Sequence, residues 1–357
     1  MSLLILDSTE KRMNLVQKIF DRQFVLDKKM DREYSDYRKR MMLKDINYNL
    51  ETLETAVKLK ADSIFSDYAL WLLQLLVQRM KDLGEERVRE QMVAHYQILK
   101  EVLGEEVPFE EREETFRQLD KAIRITREAP IEPVEDEDFS RGELGRIREN
   151  FLNCLIKSDK TTAREEIEKA IEDGVSLEDI YQEVFQKVLI KIGDLWHQGK
   201  ISVAQEHFST ALVQNIMGQL YPLIFSRPRI DRSVVACCIG NELHEMAARM
   251  VCDILEMKGW DSLYLGAGVP QQSLLSALQE HNPDLLVLSV TMPIYLEQCR
   301  EVISDLQAKK EEFKPLIAVG GRAFSLAPHL PQEWGADIYA RNGLELAEWA
   351  GGKLKKV

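Results

Sequence analysis

The sequence predicts a mixed fold, α + α/β: an N-terminal all-helical domain, a second helical bundle, and a C-terminal doubly wound parallel sheet. Residues 1–128 carry apolar side chains at helical spacing, with few glycines and a single proline, Pro108. Residues 140–224 keep this helical character, with capping signals between the helices. Residues 232–352 instead alternate short apolar runs with helical patterns, which is typical of a parallel sheet with helices on both faces.

The composition is that of a packed protein with an acidic surface. The chain has 357 residues, of which 45% are hydrophobic, and a formal net charge of −13. At roughly 100–200 residues per domain, this length suggests two or three domains. Because so acidic a chain lacks a broad positive field, we expect no direct binding of nucleic acid. The basic stretch 28–44 is interrupted by acids, which favours a solvated helix face over a nucleic-acid patch.

The N-terminus and the cysteines indicate a cytoplasmic protein. The first apolar run is short and charges follow soon, so we expect neither a signal peptide nor a membrane span. The five cysteines show no CxxC pairing, and Cys237 and Cys238 lie in an apparent buried strand. This pattern favours buried, reduced thiols over disulfides or zinc ligands.

Four segments follow from these patterns. A helical signalling or dimerisation domain is expected over 1–128, and a linker with two prolines and an acidic run over 129–139. A four-helix bundle is expected over 140–225 and the sheet domain over 231–357. The candidate strands are 234–239, 262–265, 285–289, 316–319 and 338–340. The candidate helices between them are 243–258, 270–281, 295–309, 326–332 and 343–352.

Small and polar residues follow four of the predicted strands. Because the carboxyl ends of parallel strands share one edge of a sheet, these residues are expected to lie together. Glycines there let a ligand approach the backbone, and hydroxyl groups offer hydrogen bonds. In strand order the residues are Glu242 and His244, then Gly266, then Ser289 and Thr291, then Gly320 and Gly321.

The triplet Glu242-Leu243-His244 is the most informative of these groups. A carboxylate close to a histidine suits a metal-binding imidazole, since one ring nitrogen coordinates while the other needs an acceptor. Taken singly, each group is common turn or surface chemistry. Together they predict a slot for a large, polar, metal-bearing ligand.

This edge resembles the cobalamin-binding domain, whose signature is Asp/Glu-x-His-x-x-Gly, then Ser-x-Thr/Leu, then Gly-Gly. The resemblance implies a Rossmann-like domain that binds cobalamin with the nucleotide base displaced. His244 would be the lower cobalt ligand and Glu242 its hydrogen-bonding partner. The matching residues are Glu242-Leu-His244-Glu-Met-Ala247, Ser289-Val-Thr291 and Gly320-Gly321.

One position departs from this signature. Ala247 stands where the family has glycine, and its methyl group would crowd the displaced tail at a cost of roughly 1–3 kcal/mol. A degenerate, cofactor-free domain is therefore an alternative. The retention of both Glu242 and His244 argues against it.

The preceding bundle resembles the four-helix cap of corrinoid proteins. Trp196-His197, followed by Glu206-His207, is similar to the cap of the adenosylcobalamin photoreceptors, light-responsive transcriptional regulators related to the MerR class. The resemblance implies that Trp196 packs on the adenosyl group, that Glu206 accepts hydrogen bonds from ribose, and that His207 bonds nearby. It assigns His197 to cobalt after light breaks the cobalt–carbon bond. The alternatives are core packing for Trp196 and solvated surface for the Glu-His pair.

Two functions remain open. The first is a non-enzymatic light sensor that binds adenosylcobalamin and signals to an unknown effector protein, as a homo-oligomer, since 1–128 shows no recognisable DNA-binding head. The second is a corrinoid methyl carrier that binds methylcobalamin, and a cobalamin-level sensor is a weaker variant of the first. Trp196 with Glu206 and His207 favours the light sensor. We expect the other histidines, His95, His281 and His329, at the surface.

Overall fold

The computed structural model describes residues 9–131, 138–309 and 315–354. By its internal contacts the chain divides into two units, Met1–Glu132 and Pro133–Val357, which are described separately below. Residues 132–137 of the predicted linker lie outside the described ranges. So do the first eight residues, on which the prediction of no leader sequence depends.

The N-terminal unit is helical, as predicted. Its apolar residues at helical spacing, among them Ile64, Phe65 and Leu72, are buried in a common core. Ser35 caps α3, because its side chain accepts a hydrogen bond from the Arg38 N–H group. The helices are α1 (Thr9–Leu26), α2 (Met30–Glu33), α3 (Asp36–Lys58), α4 (Asp62–Arg79), α5 (Glu85–Glu106) and α6 (Phe109–Glu128).

The second unit begins with the predicted four-helix bundle, here called the cap. Its third helix is continuous from α9 through a π-helical turn, Ile180–Phe185, into α10. Ser202 and Gln205 form a reciprocal capping box at the start of α11. The cap helices are α7 (Gly142–Ile156), α8 (Lys160–Glu172), α9 (Leu177–Asp179), α10 (Gln186–His197), α11 (Val203–Gln219) and the short α12 (Tyr221–Ile224).

The rest of this unit is a five-stranded parallel sheet in the order β2-β1-β3-β4-β5, which confirms the predicted doubly wound fold. Cys238, Ser289 and Gly320 are register partners at the carboxyl ends of β1, β3 and β4. The strand order reverses between β1 and β3, where ligands bind on such sheets. The strands are β1 (Ser233–Cys238), β2 (Asp261–Tyr264), β3 (Leu285–Ser289), β4 (Leu316–Gly320) and β5 (Ile338–Tyr339).

The helices that flank the sheet follow the predictions with one exception. The predicted helix 326–332 is wrong: two short helices replace it, because Pro328 forces the preceding residue, Ala327, out of helical geometry. The helices are α13 (Met246–Met257), α14 (Gln271–His281), α15 (Leu296–Ala308), α16 (Arg322–Leu326), α17 (Leu330–Trp334) and α18 (Gly343–Lys353), with a 3₁₀ turn at Pro293–Tyr295.

Among the histidines predicted at the surface, His281 and His329 are exposed, but His95 is not. The His95 Nδ1 atom lies 2.9 Å from Gln23 Oε1, and Nε2 is buried with no hydrogen-bond partner among the described residues. Burial lowers the pKa of His95 to about 4. The surface prediction for His95 is therefore wrong.

Two further features concern the chain as a whole. All five cysteines lie within the described ranges and are free thiols; four are buried and Cys154 is half-buried. Among the described helices, none is both long and apolar enough to cross a membrane.

Candidate functional site

The loop between β1 and α13 presents Glu242 and His244. The Glu242 carboxylate is fully buried, and both of its oxygens accept hydrogen bonds. Oε1 accepts from the His244 backbone N–H at 3.2 Å and lies 2.5 Å from His244 Nδ1. Oε2 accepts from the N–H groups of Thr291 and Met292, at 3.0 and 2.7 Å. The carboxylate therefore ties the first loop to the loop after β3.

The charges of this pair support each other. Burial alone would raise the pKa of the Glu242 carboxyl, but hydrogen bonds from His244 and from the Met292 N–H outweigh burial and lower it. The hydrogen bond to Glu242 raises the pKa of His244, against the opposing effect of burial. Because an ionised Glu242 only accepts hydrogen bonds, Nδ1 carries the proton in the neutral ring. Nε2 then keeps its lone pair free for a metal.

His244 is open to a ligand. Its side chain is 61% exposed, although its Nδ1 partner is fully buried. The neighbouring Leu243 is 87% exposed, an apolar side chain that a flat ligand would cover. Ala247, in the first turn of α13, is also exposed. The extra methyl group at position 247 therefore points to open space rather than into the buried core.

The ends of β3 and β4 are closely packed. Ser289 is buried as the last residue of β3, and Thr291 is half-buried. Gly321 has a positive φ of +98°, and a Cβ atom there would collide with the Val290 carbonyl group. Gly320 is less crowded, since a Cβ would lie 3.3 Å from the Ala340 carbonyl oxygen. Both glycines thus keep the backbone of neighbouring loops close to this edge.

The end of β2 completes the same edge. Gly266 has a φ of +81°, and its carbonyl oxygen accepts a hydrogen bond from the Cys238 N–H at 2.9 Å. The Tyr264 hydroxyl donates to the backbone and carboxylate oxygens of Glu245, at 3.2 and 3.3 Å. Gly268, two residues further on, is open: a Cβ atom there would have no neighbour within 4 Å among the described residues. The predicted residues of all four strands therefore share one edge of the sheet.

The cap supplies the second set of predicted residues. Trp196 and His197 are the last two residues of α10, and both are half-buried. Trp196 packs against the core that the cap shares with α13, so the core-packing alternative for Trp196 holds at least in part. His197 follows Trp196 as the last residue of α10, two residues before Gly199.

Glu206 and His207 lie in the first turn of α11. Glu206 Oε2 is 2.6 Å from His207 Nδ1, and Oε1 accepts from the Thr210 hydroxyl at 3.1 Å. Both carboxylate oxygens are therefore held in place. The charge of Glu206 also contributes, after Glu242, to the raised pKa of His244. Glu206 therefore lies within electrostatic range of the loop histidine.

Several residues of this site have no clear signal in the sequence. The Met292 N–H donor immediately precedes the 3₁₀ turn Pro293–Tyr295, and the Tyr295 ring at the end of that turn lies against Gly240. This turn has no predictive motif. Thr210 stands four residues after Glu206, a helical spacing that could have indicated the contact.

The donor set fits a cobalt corrinoid. A neutral imidazole whose Nδ1 is held by a buried carboxylate offers Nε2 as a single axial ligand. The glycines and Ser289 at the strand ends would receive the displaced tail, and the cap face would cover the opposite side.

The comparisons with known proteins point to the same cofactor. Residues 147–221 and 232–347 each match a family model described as a B12 binding domain. The chain is 26% identical over 214 residues to the HTH-type transcriptional repressor CarA of Myxococcus xanthus, covering 59% of this chain and 67% of CarA. It is 24% identical over 250 residues to the repressor CarH of the same organism, covering 70% of this chain and 81% of CarH.

Corrinoid proteins match the same region. Dimethylamine corrinoid protein 2 of Methanosarcina acetivorans is 23% identical over 209 residues, covering 57% of this chain and 91% of the relative. The structure of the Methanosarcina barkeri monomethylamine corrinoid protein superposes with a TM-score of 0.52 at 20% identity, covering 58% of this chain and 99% of that chain. The latter likeness establishes the fold: a helical cap followed by a Rossmann-like domain. The chain thus carries both parts of a B12-binding region.

Proposed function

We propose that this chain, with its B12-binding cap and Rossmann-like domain, is a light sensor that binds adenosylcobalamin and signals to a protein partner. The observation that carries the proposal is the hydrogen-bonded Glu242–His244 pair on the loop after β1, in the same unit as the cap helices that hold the other predicted site residues. The repressors CarA and CarH, among the relatives, agree with a regulatory role.

His244 is the proposed lower ligand. Glu242 holds its Nδ1 atom and is itself fixed by two backbone N–H groups, so the ring keeps one tautomer and one orientation. When bound, adenosylcobalamin would supply a cobalt–carbon bond that visible light breaks.

The cap residues are the proposed upper side. Trp196 would pack on the adenosyl group, and Glu206, held by His207 and Thr210, would accept hydrogen bonds from the ribose hydroxyls. His197, beside Trp196, is the residue that we assign to the upper cobalt position after illumination. Loss of the contacts to the adenosyl group gives the two states different free energies, which a switch requires.

Spectroscopy of the reconstituted protein tests this proposal. We expect wild type to bind adenosylcobalamin in the dark with its base displaced by His244, and to change its absorbance irreversibly under green light. His244→Ala should lose the histidine-ligated spectrum, and His197→Ala should alter only the light-state spectrum. His281→Ala, an exposed histidine outside the site, is the matched control. A light-state spectrum of His197→Ala identical to that of wild type would contradict the assignment of His197.

A corrinoid methyl carrier is the second candidate, and the similarity to a dimethylamine corrinoid protein favours it. A carrier should bind methylcobalamin at least as tightly as adenosylcobalamin. A sensor should prefer adenosylcobalamin, because its adenosyl group would make additional contacts with Trp196 and Glu206 that a methyl group cannot make. Competition between the two cobalamins in the dark distinguishes the candidates.

The downstream partner is proposed to be a protein. The acidic chain disfavours direct contact with nucleic acid. We propose that the helices of the N-terminal unit pair subunits or bind the effector. Cross-linking before and after illumination tests this, and an oligomeric state that never responds to light would argue against pairing.

A further inference from the structure

The cap and α13 share a continuous apolar interface. Met246, Met250, Ile254 and Met257 recur along one face of α13 and belong to the same buried cluster as the cap helices. Since α13 begins two residues after His244, one helix both follows the proposed cobalt ligand and carries the cap. The position of the cap relative to His244 therefore depends on this interface.

A buried polar pair crosses the interface. The Tyr181 hydroxyl donates to Asp253 Oδ2 at 3.0 Å, and the two residues are 0% and 6% exposed. Apolar contacts are non-directional and let two helices slide, whereas a buried hydrogen bond holds one register. The less buried pairs Tyr221–Arg249 and Glu178–Lys258 lie on either side of it along the chain.

Tyr181 is held in unusual backbone geometry. It lies in the π-helical turn Ile180–Phe185, which interrupts the helix that runs from Leu177 to His197. Such turns are rare and frequently occur at functional sites. The same helix ends with Trp196 and His197, 15 to 16 residues after Tyr181, or about 22 to 24 Å away at 1.5 Å per residue. The helix thus links the buried pair to the proposed upper side.

We infer that Tyr181 and Asp253 are a positioning pair, whose hydrogen bond sets where Trp196 and His197 stand above His244. The inference rests on the proposed function, because it concerns the upper side of the same site. His244 and the strand-end glycines Gly266 and Gly320 lie in the sheet domain, and their hydrogen bonds are to residues of that domain. Loosening the pair should therefore weaken only the part of the affinity that comes from the upper group.

The test compares two cobalamins that differ in the upper group. We expect Tyr181→Phe to weaken dark binding of adenosylcobalamin about fivefold to tenfold, the range of one lost hydrogen bond. Its affinity for methylcobalamin should stay within about twofold, and the His244-ligated spectrum should be unchanged. Asp253→Asn keeps an acceptor for the hydroxyl and should retain nearly all of the wild-type preference for adenosylcobalamin. Tyr34→Phe, which removes a 2.9 Å hydrogen bond to Gln91 in the other unit, is the matched control.

Tyr181→Phe leaves Asp253 buried without its partner, so the single variant is at risk of misfolding. The double variant Tyr181→Phe/Asp253→Leu removes both polar groups and avoids an unsatisfied carboxyl. It should fold and should lose the preference for adenosylcobalamin as well. A folded variant, single or double, that keeps the wild-type ratio of the two affinities overturns the inference.

Hydrogen exchange of the apo protein separates this inference from the proposed function. If wild type shows no preference for adenosylcobalamin, the proposed function fails. The positioning role is then tested by amide hydrogen exchange alone. Tyr181→Phe or the double variant should speed amide exchange in α10 and leave exchange in α14 unchanged. Unchanged exchange in α10 would also overturn the inference.

Discussion

Glu242 shows how one buried side chain can organise a site. Its two oxygens accept four hydrogen bonds, all from N–H groups, two on His244 and one each on Thr291 and Met292. A carboxylate can accept hydrogen bonds with both of its oxygens, whereas the amide of a glutamine can accept with only one. The burial of a negative charge is compensated by these donors and by the imidazole.

Glu242→Gln tests this arrangement. An amide has a single acceptor oxygen, so its NH₂ group must face either the two loop N–H groups or His244 and leave donors unsatisfied. We expect a loss of roughly 1–3 kcal/mol in the free energy of unfolding and about 10–100-fold weaker cobalamin binding. Urea unfolding and absorbance titration measure the two effects. Glu245→Gln, the neighbouring half-buried carboxylate, is the control and should change stability much less; equal effects of the two variants would refute this role of Glu242.

At this scale, the sequence predicts acids and histidines better than it predicts their partners. The Glu-x-His triplet was visible because both side chains carry chemistry. Two of the four donors to Glu242 are backbone groups of Thr291 and Met292, which have no signature in the side chains. The sequence predicts His95 at the surface because its partner, Gln23, lies 72 residues away in the chain and leaves no local signal. The roles of His197 and His207 toward a cofactor remain predictions.

Among the elements, the loop after β4 depends on the backbone of Gly321. Its φ of +98° and ψ of +161° lie in a region that only glycine populates readily, and a Cβ would also meet the Val290 carbonyl. Gly268 has a φ of +67° with open space around it. A comparison of substitutions at these two glycines therefore separates the cost of backbone strain from the cost of a steric collision.

Gly321→Ala should destabilise the protein more than Gly268→Ala. Both substitutions cost about 1–3 kcal/mol from an unfavourable φ, and Gly321→Ala adds a collision of roughly 1–3 kcal/mol. Urea unfolding of both variants measures the difference. Equal free energies of unfolding for the two variants would contradict this prediction, because the loop after β4 would then accommodate the added methyl group without a loss of stability.

The helix α13 should make stability depend on pH through Asp253. Burial raises the pKa of this carboxyl from 3.8 to about 6, although the Tyr181 hydrogen bond opposes the shift. The folded state thus favours the protonated form, so the contribution is complete below pH 4 and is lost as pH rises through about 6. The loss amounts to about 3 kcal/mol.

Asp253→Asn should remove this part of the pH dependence. Urea unfolding between pH 4 and 7 compares the slopes, with the exposed Asp173→Asn as control. The Asp45 carboxyl, in the N-terminal unit, also has a pKa raised to about 6 by burial, but Asp45 is present in all three proteins and cancels. A slope for Asp253→Asn equal to that of wild type would contradict the assignment.

Strands could be predicted well because a buried parallel strand is a short apolar run between turn signals. β3 matches its predicted bounds, and the other four strands differ by a residue at one or both ends. The π-helical turn at Ile180–Phe185 could not be predicted, because its sequence carries the same helical spacing of apolar residues as the α-helices on either side. The helix α13 begins at Met246, three residues later than predicted.

At the scale of the whole molecule, the chain joins a B12-binding region to a helical unit of unassigned role. The cap, its interface with α13 and the site at the strand ends all lie in the second unit, Pro133–Val357. The role of the N-terminal helices stays a prediction, because their sequence carries no pattern that indicates a partner.

The absorbance spectrum of the full chain with adenosylcobalamin, recorded in the dark and again after green light, tests the central claim most directly. We predict a base-displaced, histidine-ligated dark spectrum that light converts into a stable second spectrum, with both absent in His244→Ala. A dark spectrum that persists under illumination, at a dose that photolyses free adenosylcobalamin, would contradict the light sensor.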